Sequence, residues 1–214
     1  MTHALSNGIE FNAPAMALAV KRLGVRMTFP KGVEIFGQDE EADLVYGLMS
    51  GAVRTTRMLS DGRRQIGNFY SRGDLIGLTT GPVHRFSAET LSDCSFRVVK
   101  RSSIQLHGGD DELDDAIWEA MRRELEQAQE HLLFLGRTSA CERVARFLIS
   151  IAPRNSSARV ALPMNRQDMA DYLGLAIETV SRTVSHLQAS EIIEFSGCRY
   201  FRVLRWDALE LLAA

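Results

Sequence analysis

Short runs of β-branched and aromatic residues recur between residues 25 and 100: Val25–Phe29, Leu44–Met49, Val53–Leu59, Gln65–Tyr70 and Phe96–Lys100. Turn residues part them at Ser50-Gly51, Asp61-Gly62 and Arg72-Gly73-Asp74, about every 11 residues, which predicts an antiparallel sandwich or barrel rather than alternating strands and helices. Ahead of them, Phe11–Leu23 carries enough alanine, methionine and leucine for a small helix. From Asp114 the period changes. Trp118, Met121, Leu125, Ala128, Leu132 and Leu135 are spaced 3, 4, 3, 4, 3, a heptad seam. A helix over 114–136 is about 34 Å long at 1.5 Å per residue. Its remaining faces carry Glu119, Arg122, Arg123, Glu126 and Glu130, so one narrow apolar stripe needs a partner. A second copy of the same helix is the expected partner, and the chain's own β domain is the alternative. Gly136 ends this helix. Another follows over Cys141–Ile151 (Val144, Phe147, Leu148, Ile151), stopped by Pro153; Asn155-Ser156-Ser157 reads as a loop and Val160–Leu162 as a short strand.

Residues 165–187 predict two short helices joined at Gly174. At about 100° per residue, Ile177, Val180, Val184 and Leu187 share one side of the second helix, while Glu178, Ser181, Arg182 and Ser185 cluster away from it. The first set anchors a helix in a small core. The second presents a carboxylate, a guanidinium and two hydroxyls outward, groups suited to the edges of DNA bases. Ile192–Phe195 and Tyr200–Val203, on either side of Gly197, predict a hairpin, or wing. The pattern is that of a winged helix-turn-helix.

Charge sharpens this reading. The net charge of −2 argues weakly against a nucleic-acid partner, but the charge is uneven. Nine acidic residues crowd Asp110–Glu130 against Arg122 and Arg123, whereas the chain from Thr138 onward holds nine arginines, no lysine and eight acids. Arginine is the side chain best matched to phosphate and guanine. No apolar stretch approaches membrane-spanning length, and the first residues lack a basic stretch followed by an apolar run, so a soluble cytoplasmic protein is expected. Cys94, Cys141 and Cys198 are too few and too scattered for a disulfide framework or a zinc cluster.

The order of β domain, long helix and winged helix-turn-helix resembles the cyclic-AMP receptor and FNR superfamily of bacterial transcription regulators over nearly the whole chain. Asn165-Arg166-Gln167-Asp168 leading to Glu178-Thr179-Val180-Ser181-Arg182 carries the resemblance most strongly, supported by Gly73-Asp74-Leu75-Ile76-Gly77, Asp61-Gly62 and Gly51. It implies an α+β fold: an N-terminal antiparallel β-roll (jelly-roll-like) sensor domain over 1–113, a dimerisation helix over 114–136 and a DNA-binding domain over 137–214. An apolar residue before Glu178 and a serine before Arg182 are similar to the FNR and FixK branch, which implies an inverted repeat of the type TTGAT-N4-ATCAA bound by a homodimer. Glu178, Ser181 and Arg182 are then expected to contact bases, and Arg166, Gln167, Thr179 and Ser185 phosphates. RNA polymerase is the implied second partner, with the surface strands around Val53–Leu59 and Phe86–Leu91 as candidate contacts.

Departures from the family pattern speak to the signal. A cyclic-nucleotide pocket of this kind needs a Glu after the Gly-Asp-Phe-Ile-Gly motif and an Arg-Ser pair on the phosphate; here Leu78-Thr79-Thr80 and Phe86-Ser87 stand in their places. Arg85 is one residue out of register, which on a strand points it to the other face. Cyclic nucleotide is therefore not expected. The first 93 residues contain no cysteine, and three thiolates cannot supply the four-cysteine set of an iron–sulfur cluster. What remains resembles the FixK type, cluster-free and often governed through its own abundance, which implies target genes of low-oxygen respiration or nitrogen fixation. No cofactor or metal is expected. Cys198, beside Arg199 and Arg202 on the wing, and Cys141 are candidate redox thiols. The competing readings are a nucleotide- or haem-responsive regulator, with His84 or His107 as haem ligand, and a β-barrel metalloenzyme. The last lacks the necessary histidines, since residues 25–100 hold only His84.

Overall fold

The computed structural model describes Val20 and residues 24–106, 111–136, 139–152 and 159–213. Two compact units divide between Gln129 and Glu130. The first holds eight strands: β1 (Val25–Phe29), β2 (Glu34–Phe36), β3 (Leu44–Ser50), β4 (Val53–Met58), β5 (Arg64–Tyr70), β6 (Leu75–Ile76), β7 (Ser87–Thr90) and β8 (Cys94–Lys100). They form two antiparallel sheets, ordered β1-β8-β3-β6 and β2-β7-β4-β5. Every strand expected from the sequence is present within a residue or two. The strands β2 and β6 carry too few residues to show an alternation and were not anticipated.

Alternation decides which side chains face inward. Cys94, Phe96 and Val98 on β8, Val53 on β4 and Tyr46 and Leu48 on β3 meet Phe36, Tyr70 and Ile76 in one core. Phe96 is the hub, edge-on to Phe29 at 5.6 Å and to Tyr46 at 6.1 Å. Aromatic pairs prefer this T-shaped arrangement. The tight turn into β4 requires Gly51, whose φ is 100° and where an added Cβ would lie 2.5 Å from the Cys94 sulfur. The sheet containing β3 is buried on its other face as well: Val45, Leu75 and Val99 pack there with Val20, the one described residue of the expected Phe11–Leu23 helix.

Two helices follow, α1 (Arg101–Leu106) and α2 (Asp111–Leu135), the latter starting three residues before the expected Asp114. Ile117 and Ala120 of α2 pack on the Val45–Val99 face. Asn68 Nδ2 donates to Gln127 Oε1 at 2.5 Å, and the Tyr70 hydroxyl donates to Glu124 Oε1 at 2.9 Å. The heptad seam lies on a different face: Trp118 (71% exposed), Met121, Leu125, Ala128 and Leu132 all meet solvent. Leu135 lies in the helix, and its side chain is outside the described residues. So the stripe that was to seek a partner does not pack on the β domain, and residues beside it do.

The second unit holds α3 (Ala140–Ile151), β9 (Val160–Ala161), α4 (Arg166–Leu173), α5 (Ile177–Ala189), β10 (Ile193–Ser196), β11 (Tyr200–Val203) and α6 (Trp206–Ala213). The sheet order is β10-β11-β9, a hairpin extended by one short strand. The Pro153 stop and the Asn155-Ser156-Ser157 loop lie outside the described residues, as does His107.

Candidate nucleic-acid interface

Local chemistry builds the helix pair. Asn165 caps α4: its side chain accepts from the Asp168 amide at 2.8 Å, and the Asp168 carboxylate accepts from the Asn165 amide at 3.3 Å. This reciprocal box satisfies two otherwise orphaned donors. Asp168 is 1% exposed, so it is a structural member of the motif that carries the family resemblance. The spacing Asn-x-x-Asp before an apolar run was the available signal. Gly174 ends α4 in the left-handed conformation, φ 61° and ψ 38°, and its N–H reaches Ala170 O. Two residues later the chain enters α5.

On α5, Val180, Val184 and Leu187 are buried and Ile177 is half-buried. Glu178, Ser181, Arg182 and Ser185 are exposed on the other side. Among the described residues Arg182 is held by a single 3.4 Å bond from Nε to the Glu178 carbonyl, one helical turn back, which leaves its terminal nitrogens for another partner. Thr179 is half-buried, and its carbonyl accepts from the Thr183 hydroxyl at 2.9 Å. Gln167 is exposed and donates to Asp171 at 2.7 Å. Arg166 is placed differently from a free surface arginine. Its guanidinium lies 4.1 Å above the Phe195 ring of the wing, which stacks in turn on Phe201 at 5.5 Å. Burial there holds the Arg166 pKa below its ordinary value. No carboxylate is bonded to it among the described contacts; its one hydrogen bond goes to the Met169 sulfur at 3.8 Å. Such a guanidinium is oriented and electrically unsatisfied.

The support for α4 includes residues outside the motif. His131 stacks on Tyr172 at 4.2 Å, and its Nε2 lies 2.7 Å from the Tyr172 carbonyl oxygen. Arg143 donates to the Leu173 carbonyl at 3.0 Å, near the C-terminal end of the same helix. The Arg143 guanidinium at that end suits the helix dipole. Neither residue was singled out in the sequence, because the 3.6-residue period does not show which polar side chains turn inward.

The cysteines separate by environment. Cys198 is exposed in the turn between β10 and β11. Of its two expected arginine neighbours, Arg202 is committed to an ion pair with Glu194 on the facing strand. Cys141 is half-buried in the first turn of α3, where burial and then the charge of Glu142 push its thiol up. That is the opposite of what activates a thiol and counts against Cys141 as a redox group. Cys94 is buried and its thiol likewise raised by burial. Among the described residues, no group of three or more His, Cys, Asp or Glu side chains is placed to hold a metal ion.

The strands offered as polymerase contacts alternate between inward and outward side chains. Val53 and Thr55 of β4 and Ala88 and Thr90 of β7 face the interior, and Arg54 pairs with Glu89 at 2.8 Å across the outer face. Of β4, only Arg57 and Met58 are exposed.

Comparison with known proteins agrees with this architecture. Residues 142–212 match the Crp-like helix-turn-helix domain, and residues 26–105 match the cyclic nucleotide-binding domain. The chain is 46% identical over 205 residues to the nitrogen fixation regulation protein FixK of Azorhizobium caulinodans, spanning 92% of this chain and 81% of that protein. It is 36% identical to the transcriptional activatory protein AadR of Rhodopseudomonas palustris, spanning 97% and 92% of the two chains. The structure of FixK2 from Bradyrhizobium japonicum superposes with a TM-score of 0.84 at 44% identity, covering 90% of this chain and 98% of that one. No helix among the described residues is long and apolar enough to cross a membrane. With its antiparallel β domain and C-terminal helix-turn-helix, the chain belongs to the Crp/FNR family, as a DNA-binding transcription regulator of the FixK type and not an enzyme.

Proposed function

We propose that the chain acts as a homodimer on an inverted repeat of the TTGAT-N4-ATCAA type, chiefly as an activator, at genes of low-oxygen respiration or nitrogen fixation. The observation that carries this reading is the division of α5 into a buried face and an exposed face bearing Glu178, Ser181, Arg182 and Ser185. Arg182 donates two bonds to guanine O6 and N7, Glu178 accepts from cytosine N4, and Ser181 lies close enough for a thymine methyl. Arg166, Gln167, Thr179 and Ser185 hold the backbone, and the stacked, unpaired Arg166 supports this best because a phosphate supplies its missing counter-charge. Two-fold symmetry is supported by the exposed apolar seam Trp118, Met121, Leu125, Ala128 and Leu132, with Leu135 completing the period. A solvent-exposed stripe of this length on a polar helix asks for a cover. The genes proposed follow from the relatives named for nitrogen fixation regulation. The protein would work in the cytoplasm and engage RNA polymerase.

This regulator needs no cofactor. The residues do not fit a cyclic nucleotide: Phe86, at the place of the phosphate-binding arginine, packs its ring over Gly67, and Arg85 is exposed. A buried phosphate without a cation is costly. The cysteine count does not fit an iron–sulfur cluster. Cys198 is the remaining candidate for redox control, by virtue of its exposure.

Selection of bound duplexes from a random pool tests the reading. Enrichment of a palindrome with TTGA half-sites is expected. A monomeric site, or no enrichment over a scrambled pool in reducing buffer at moderate salt, would overturn it.

A further inference from the structure

A cavity of about 320 Å³ in the β domain has no place in DNA recognition. Phe36, Tyr46 and His84 form its inner wall, and Glu40, Glu41 and Asp43 stand exposed at its rim. The site is built rather than incidental. Asp39 N donates to the His84 carbonyl, His84 N to the Glu40 carbonyl and Ala42 N to the Pro82 carbonyl, each at 2.8 Å. These bonds lash two loops together around the opening. The His84 ring stacks on Phe36 at 3.7 Å, and Phe36 lies 5.6 Å from the Tyr46 ring.

Two polar side chains in this wall have no hydrogen-bond partner among the described residues. His84 is 4% exposed and Tyr46 is 5% exposed, yet neither side chain makes a hydrogen bond to any described residue. Both residues line the cavity, so these polar atoms open into it and offer hydrogen-bonding positions that a guest from outside can fill. The field in the cavity says what charge it carries. Burial raises the Tyr46 hydroxyl pKa first, and the negative charges of Asp43 and Glu40 raise it further. Burial holds the His84 imidazolium below its ordinary range, which keeps the ring neutral and free to accept. Arg101, the cation whose charge acts on His84, donates to the Thr79 and Gly81 carbonyls.

We propose that this cavity binds a small primary ammonium ion, with its N–H groups on Tyr46 Oη and the His84 ring, its charge facing Asp43, Glu40 and Glu41, and its carbon chain over Phe36. Three N–H donors match the two unpaired acceptors and the carboxylate rim. Aromatic faces add to the attraction for a cation. Three carboxylates exclude an anion, and the side chains are not set for a metal ion. Protonation of His84, which faces Glu40, Glu41, Asp43, Tyr46 and Arg101, places a second cation in the site. Binding therefore weakens as pH falls through the lowered range in which His84 takes up its proton.

The test is a titration of the full chain with butylammonium chloride, followed by NMR of the His84 ring protons at pH 7.5. Tetramethylammonium, with equal charge and no N–H, and sodium at matched ionic strength serve as comparisons. A saturable shift with butylammonium is expected, with tetramethylammonium weaker by roughly tenfold for the lost charge-assisted bonds. Asp43→Asn and Tyr46→Phe each remove one contact at the mouth or wall and should weaken binding severalfold while the circular dichroism stays native. An equal response to sodium, or native affinity in both folded variants, overturns the proposal.

Discussion

Arg182 and Arg166 are both arginines of the helix-turn-helix, and their surroundings assign them different work. Arg182 is exposed on α5 with free terminal nitrogens, whereas Arg166 is fixed over Phe195. Changing Arg182 to Ala should cost about 1–3 kcal/mol of operator affinity and relax the preference at one base pair, read by competition binding across single-substitution operators. Changing Arg166 to Ala should weaken all sequences alike and lower the salt slope of log Kobs by about 1. Phe195→Ala should mimic the loss of affinity in part without changing sequence preference, because the ring only aims the guanidinium. At this scale the sequence was informative about which residues face outward and silent about their neighbours. Helical period placed Arg182 correctly, but no spacing rule brings residue 195 beneath residue 166. The His131–Tyr172 contact escaped for the same reason: it joins residues 41 apart through tertiary packing.

At the scale of the element, capping and the heptad seam carry the predictions. Asn165→Ala removes one half of the box at the start of α4 and should lower unfolding free energy by about 0.5–2 kcal/mol, measured by urea titration. Glutamates at Leu125 and Leu132 should give a monomer by light scattering and sharply reduced operator binding, while the β domain keeps its near-ultraviolet spectrum. The seam is exposed beside Ile117 and Ala120, which hold α2 to the sheet, so charge at Leu125 and Leu132 leaves that packing intact. Two ion pairs from Arg122 and Arg123 converge on Glu119, and the hydrogen bond from Arg122 is the larger cause of its pKa falling to about 2. The long strands and helices were legible because each shows several periods of its pattern. Short strands such as β6 exist only through pairing with β3, a long-range contact without local signature.

For the molecule as a whole, pH should act through two histidines, the buried His84 and the half-buried His131, one in each unit. Burial is the largest cause in both cases, and it lowers the pKa of His84 and His131 in the folded chain. The unfolded chain then binds more protons between those lowered values and the ordinary 6.5. Stability is therefore highest above 6.5, falls as pH drops through that window and levels off once both folded histidines are protonated. Thermal midpoints from pH 7.5 down to 5 should show this decline, and His131→Gln should flatten the part belonging to the DNA-binding unit. The division into β domain, long helix and winged helix was readable from the order of periodicities. The cavity around His84 was not, since it depends on backbone bonds between residues 39–42 and 82–84.

Ala176 precedes α5 without a side-chain cap, and Glu178 is the one acidic residue of its first turn. A carboxylate there offsets the positive end of the helix dipole in addition to its proposed contact with a base. Evolution toward a new operator through position 178 thus meets a hidden constraint: a neutral replacement frays the very rod that must carry the altered code, and a compensating serine or aspartate at 176 would be needed to keep it wound.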